Sequence, residues 1–278
     1  MKNVKKVLIS VLIIAIGVIV LFPLLWVVIC SFKPEGDIVS YPPRWIPEVI
    51  TLVNYANVLT QFHFVQWMLN SIIVSVVSTV LVMILDSLAG YALGRFRFRG
   101  RNVIFFLVMA MLLIPMQAYV VPLFILFKYM HLLFTYQALV LPLLGQVTGV
   151  YLLKQFFEGL PNELEEAARI DGCNEFTIYL RVMLPLSKPI MSSVAILMFV
   201  SSWNNFLWPL IATRSDATKT LPVGLAQFMS ASGGVSGSAP QYGISLAAAC
   251  MAILPTVIIF LCLQKYFVEG VVSSGIKG

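Results

Sequence analysis

Lys154 to Pro189, KQFFEGLPNELEEAARIDGCNEFTIYLRVMLPLSKP, is the one long polar insert between otherwise apolar segments, and its reading decides the fold. Pro161 closes the preceding helix, and Asn162 with Glu165 three residues on predicts the capped start of a short new one. That helix ends near Gly172, which takes the left-handed turn that other residues resist. A second short helix runs from Asn174 to about Met183, and Pro185 and Pro189 break the chain before the next apolar run. The pattern is a helix–turn–helix projecting from a membrane. On its first helix Glu163, Glu166, Ala167 and Ile170 share one face, and the small pair Ala167 and Ala168 lets a partner approach the backbone closely. Glu165 and Glu166 lie within reach of Arg169 for charge pairing.

The remainder of the chain sets this insert in lipid. Of 278 residues 60% are hydrophobic and only 11% charged, and the mean hydropathy is +0.94, which excludes a soluble domain of this size. The expected fold is all-α and polytopic, with six transmembrane helices at approximately 7–30, 67–93, 103–127, 133–153, 190–212 and 243–263. The insert at 154–189 then joins helices 4 and 5, and residues 264–278 form a tail. Lys2, Lys5 and Lys6 before the first apolar run suit a signal peptide, but the run is long enough to cross a bilayer and has no small-residue cleavage site. Pro115 and Pro122 in the third span free backbone groups that neighbouring helices must satisfy, and Pro142, Gly145 and Gly149 loosen the fourth.

Charge gives the orientation. With six spans, 13 of the 18 Lys and Arg residues fall on the side of the termini and the insert, and 5 on the other. Both termini and the insert are therefore expected to be cytoplasmic. Arg95, Arg97, Arg99 and Arg101 alternate with phenylalanines, a spacing that also occurs in nucleic-acid surfaces. Directly after a span it reads as a membrane anchor, and no nucleic-acid partner is expected.

Catalytic chemistry is absent from the sequence. There is no GxxxxGK[ST] loop to cradle a nucleotide, His63 and His131 stand alone, and the four cysteines lack metal-ligand spacing. No enzyme, metal site or bound cofactor is expected on this chain. Asp86 is the one carboxylate well inside a span, where it costs about 2.5–3.5 kcal/mol unless it faces the bundle or a water-filled cavity. In the fifth span Trp203, Asn204 and Asn205 offer an indole and two amides, groups that stack on a sugar ring and hydrogen-bond its hydroxyls; helix–helix hydrogen bonding is the competing use. Asp86, Trp203, Asn204 and Asn205 are the candidate substrate-pathway residues.

Glu166, Ala167, Ala168, Asp171, Gly172, Leu184 and Pro185, at this spacing, resemble the EAA loop of the membrane subunits of binding-protein-dependent ABC importers. Tyr41-Pro42-Pro43-Arg44-Trp45, Asn54-Tyr55, the 89–101 stretch, Trp203-Asn204, the 220–225 stretch and the tail from Tyr266 resemble the maltose-type carbohydrate permeases. The resemblance implies that the insert is a cytoplasmic coupling helix docking on an ATPase through Glu166, Ala167, Ala168, Asp171, Gly172 and Pro185. It implies a further ATPase contact by the C-terminal residues Gly275, Lys277 and Gly278. The implied partners are a second homologous permease subunit, two ATP-binding subunits that hold ATP and magnesium, and an extracytoplasmic sugar-binding protein. The implied setting is the cytoplasmic membrane of a bacterium or archaeon, and the implied activity is ATP-driven sugar or oligosaccharide import by alternating access. An importer of another small solute such as glycerol phosphate, or a stand-alone secondary carrier, is the alternative.

Overall fold

The computed structural model describes residues 2–232 and 241–275. Its elements are helices joined by short connections: α1 (Lys2–Ser31), α2 (Glu35–Ile38), α3 (Val53–Gln61), α4 (Phe64–Arg95), α5 (Arg101–Ala110), α6 (Met116–Tyr129), α7 (Tyr136–Val140), α8 (Val147–Glu158), α9 (Glu163–Ile170), α10 (Glu175–Ile178), α11 (Leu184–Leu186), α12 (Lys188–Trp203), α13 (Leu207–Ala212), α14 (Leu221–Ser232) and α15 (Tyr242–Gly275). The fold is all-α, as the sequence predicts. Among the described residues three helices are apolar and long enough to cross a bilayer: α1 from Lys6, α4 and the part of α15 up to Cys262. Three further apolar segments are bent pairs, giving six in all: α5 with α6 at 102°, α7 with α8 at 42°, and the segment Glu175–Leu186 with α12 at 78°.

Three of the expected spans are broken, at Ile114, at Gln146 and between Trp203 and Leu207, and each break has a local cause. The expected span 103–127 is broken at Ile114, whose extended backbone (φ −91°, ψ 108°) is what the following Pro115 imposes. The expected span 133–153 opens in the short α7, tightens into a 3-10 turn over Leu141–Gly145, and restarts after an extended Gln146. It then continues as helix to Glu158, so Lys154 belongs to a helix and not to the insert. The expected span 190–212 stops at Trp203 and resumes at Leu207. Pro209 cannot donate to Asn205 and its ring crowds that carbonyl, so one helix cannot run through 205–209. Residues 264–275, expected as a tail, continue α15 as helix.

The chain packs as two compact units, Met1–Gln66 with Gly224–Leu254 and Trp67–Val223 with Pro255–Gly278. In the first, Asn54 is buried and its amide donates to Ser31 O (2.9 Å) and Lys33 O (2.8 Å), satisfying carbonyls at the end of α1. Ser31 Oγ and Tyr55 OH lie 2.7 Å apart. Glu35 accepts from the backbone N–H groups of Tyr242 (2.7 Å) and Gly243 (2.8 Å), capping the start of α15. The side of α1 is apolar and exposed along most of its length, as a lipid-facing helix requires.

The second unit has two cores. One gathers Val82 and Tyr91 of α4, Leu153 and Phe157 of α8, Ala168 of α9, Ile178, Tyr179 and Met183, and Val194 and Met198 of α12. The other joins α4, α6, α7 and α13 around Trp208, whose indole donates to Ala138 O at 2.7 Å. Helix α4 approaches α8 closely because Gly90 lies at the contact: a Cβ there would meet Leu153 Cβ at 2.8 Å and Lys154 N at 3.0 Å.

Candidate functional site

Two regions of the second unit hold the candidate functional side chains. The first is the polar insert. Helix α9 ends on Gly172 at φ +81°, with Cys173 N–H donating to Ala168 O (3.0 Å) and Gly172 N–H to Arg169 O (3.0 Å). This paired termination satisfies the last carbonyls and requires the left-handed residue that the sequence supplies. Asn174 then caps α10, its side chain accepting from Thr177 N–H at 2.8 Å. The start of α9 differs from expectation: Asn162 is helical in backbone and makes no side-chain cap, so the capping box is not formed. Its expected partner Glu165 is instead buried and paired with Arg95. Pro185 also differs, because the chain stays helical through it. A π-helical turn over Tyr179–Met183 precedes the proline, and the break falls at Ser187, ahead of Pro189.

The outward face of α9 carries Glu163, Glu166, Ala167 and Ile170, all exposed, with Ile170 at 87%. Asp171, Gly172 and Pro185 are exposed as well. Ala168 is buried in the core and supports this face from behind. Arg169 holds the turn together: its guanidinium donates to both carboxylate oxygens of Glu175 (2.8 and 3.2 Å) and lies 3.7 Å from Glu165. The hydrogen bond from Arg169 holds the Glu175 carboxyl below the usual range and raises the guanidinium's own pKa in return.

The second region is a cleft of about 330 Å³ where the three helix breaks meet. Met111, Ile114 and Tyr119 come from the α5–α6 bend, Gln146 and Thr148 from the α7–α8 bend, and Ser201 and Asn205 from the end of α12. Gln146 Nε2 lies 3.4 Å from Ser201 Oγ. Irregular backbone at membrane depth is tolerated where it lines a cavity, and these breaks do so. The lining offers amides and hydroxyls, and none of its residues is charged.

Of the four pathway residues expected from sequence, Asn205 alone lines this cleft. Trp203 is buried and stacks on Phe199 (5.8 Å between centroids). Asn204 turns back to donate to Val200 O at 3.0 Å. Asp86 is 2% exposed and sits against Gly149 of α8, with Oδ2 lacking a hydrogen-bond partner among the described residues. Gln146, Thr148 and Tyr119 escaped the sequence reading. The signals that point to them are Pro115 ahead of Tyr119 and the Pro142–Gly145 interruption ahead of Gln146 and Thr148. Gly275 is the last residue of α15, while Lys277 and Gly278 lie outside the described residues. Among the residues searched there is no cluster of His, Cys, Asp or Glu able to hold a metal ion.

Among the described residues, up to six apolar helical segments, an uncharged cleft lined by two of the helix bends and the end of α12, and a helix–turn–helix beside them define an integral-membrane transport subunit. Residues 86–272 match the family described as binding-protein-dependent transport system inner membrane component, and the chain belongs to that family. It is a multi-pass protein of the cytoplasmic membrane. The arabinooligosaccharides transport system permease protein AraQ of Halalkalibacterium halodurans is 40% identical over 266 residues, covering 95% of this chain and 93% of the relative. The trehalose/maltose transport system permease protein MalG of Thermococcus litoralis is 34% identical over 278 residues, covering 99% and 98%. A bacterial ABC transporter that imports the acidic polysaccharide alginate contains a chain that superposes with a TM-score of 0.79 at 25% identity, over 95% of this chain and 97% of that one.

Proposed function

We propose that this chain is the permease subunit of an ABC importer that carries a neutral sugar or oligosaccharide across the cytoplasmic membrane. It works beside a second, homologous permease and above two ATP-binding subunits, and an extracytoplasmic binding protein delivers the sugar. The observation that carries the reading is the outward face of α9: Glu163, Glu166, Ala167 and Ile170 stand uncovered at the tip of a fixed helix–turn–helix. An 87%-exposed isoleucine beside an alanine and two carboxylates suits a partner's groove far better than solvent. Asp171, Gly172 and Pro185 extend the surface, and Gly275, Lys277 and Gly278 are a second contact with the same ATPases. Termini and insert lie in the cytoplasm, by the lysine and arginine distribution.

Closure of the ATPase dimer on ATP draws the two coupling helices together and opens the cavity outward; hydrolysis resets the inward-facing state. The loaded binding protein favours the outward state by binding its outer loops better than those of the inward state. Tyr119, Gln146, Thr148, Ser201 and Asn205 supply donors and acceptors for hydroxyl groups. Such groups are needed because a bare hydroxyl costs about 4–8 kcal/mol to move from water into hydrocarbon. A cleft of about 330 Å³ falls in the size range of small-molecule sites. The absence of charge from its lining favours a neutral ligand over an anionic one such as glycerol phosphate. The names of the arabinooligosaccharide and trehalose/maltose relatives support a sugar, while the structural neighbour's alginate is acidic, so neutrality rests on the cleft lining.

The test is uptake by proteoliposomes holding the full complex, with ATP inside and binding protein outside. Accumulation of a radiolabelled neutral oligosaccharide that requires both is the expected result. Uptake by this chain alone, without ATP, would make it a secondary carrier.

A further inference from the structure

Arg95, the last residue of α4, is one of the most heavily engaged side chains in the described structure. Its Nε donates to Glu165 Oε1 at 3.0 Å, in the first turn of α9. Its Nη1 donates to Phe157 O (3.2 Å) and Leu160 O (2.9 Å), and its Nη2 to Pro161 O (3.3 Å). The side chains of Arg95 and Glu165 are 5% and 6% exposed. One guanidinium therefore caps the C-terminal carbonyls of α8 and grips the beginning of α9 at the same time.

Leu160 of this connection packs against the core that Phe157 and Ala168 share, and Arg95 adds polar bonds to both of the helices it joins. Gly159 and Leu160 bond back to the last turn of α8, and Asn162 makes no side-chain cap. Behind Arg95 the same face of α4 continues at intervals of four residues. The Tyr91 ring packs on Phe157 (5.5 Å) and Tyr179 (5.3 Å), and Ser87 Oγ lies 2.6 Å from Tyr179 OH. At the other end of α8, Val147 and Thr148 line the cleft. The helix from Thr148 to Phe157, about 14 Å at 1.5 Å per residue, thus separates the arginine's grip from the cavity wall.

We propose that Arg95 is a positioning residue of the coupling machinery: it makes α8 and α9 move as one body, so that a displacement of α9 is delivered along α8 to the cleft. This rests on the reading of α9 as the ATPase-docking helix. Without the guanidinium, a displacement of α9 is absorbed at residues 159–162, and the cleft no longer follows the nucleotide state.

The test uses the whole complex with the four cysteines replaced by alanine and spin labels at Gln155→Cys on α8 and Leu164→Cys on α9. The distance between labels is measured nucleotide-free and with ATP and vanadate. The wild-type arginine should give one narrow distribution that is the same in both states. Arg95→Gln should widen it at least twofold and let its mean move on adding ATP, and Arg95→Lys should restore part of the narrowness. Should Arg95→Gln fail to assemble, Glu165→Gln, which keeps the shape and loses the charge, should widen the distribution in the same direction. Distributions in Arg95→Gln or Glu165→Gln that match the unsubstituted complex in both states overturn the proposal. If the unsubstituted complex does not retain its ATPases at all, it is the docking reading that fails.

Discussion

Gly149 is the position where adding one methyl group should be felt most. A Cβ built there would overlap the Asp86 carboxylate, with Cγ at 3.0 Å, and would stand 3.0 Å from Val194 Cγ1. These obstacles come from α4 and α12, so the methyl meets two helices at once. Asp86 is 2% and Val194 0% exposed, so making room means turning a buried side chain within the core. Overpacking of this kind costs about 1–3 kcal/mol, and in a chain of this size each kcal/mol shifts a thermal midpoint by about 2–4 °C. The assay is the thermal midpoint of the detergent-solubilised complex for Gly149→Ala, with Gly17→Ala as control because nothing lies within 4 Å of that position. Gly149→Ala should melt several degrees lower and Gly17→Ala should not. Adding Asp86→Ala to Gly149→Ala should recover part of the loss. An unshifted Gly149→Ala would refute the close approach of α4 to α8, and no recovery in the double variant would show that Asp86 is not the obstacle.

Other expectations follow from the same geometry. Gly172→Ala forces a side chain into the left-handed region at about 1–2 kcal/mol and should weaken coupled uptake, while Gly172→Pro should leave membrane insertion intact and abolish it; uptake assays alongside expression levels check both. Asn205→Ala and Gln146→Ala should each raise the KM for sugar uptake while leaving ATPase retention unchanged, whereas Trp203→Phe, away from the cleft, should lower stability more than it alters KM. The Arg169–Glu175 pair gives a pH signature. The Glu175 carboxyl is held below its ordinary range, so its contribution is complete above that range and is lost as pH falls through the lowered value. Glu175→Gln should flatten this acid-side loss in a melting series, and the effect should be small because exposed pairs contribute about 0–1 kcal/mol.

That the chain is an all-α, multi-pass membrane protein was legible from hydropathy alone, since long runs of apolar residues have few other uses. The turn at Gly172 was legible because a left-handed cap requires that residue. What the sequence hid was decided by partners distant in the chain. Glu165 fits a capping box by spacing, yet Arg95, seventy residues earlier, takes it. Asn204 and Asn205 are adjacent and chemically identical, and only the break before Pro209 decides that one bonds backwards while the other faces the cleft. Gln146 is inconspicuous in sequence because its importance comes from the extended backbone that places it between two helices. Asp86, conspicuous as a charge among apolar residues, packs against a glycine away from the cleft.

The central claim is that this chain takes its driving force from an ATPase through α9. Its most direct test is affinity purification of the tagged chain co-expressed with an ABC-type ATPase and a second permease from the same organism, comparing wild type with the double variant Glu166→Ala, Gly172→Pro. The account predicts that both partners co-purify with wild type, and that the double variant keeps the second permease and loses the ATPase. An ATPase that stays bound to the double variant, or a wild-type chain that purifies alone and still moves solute, would contradict it.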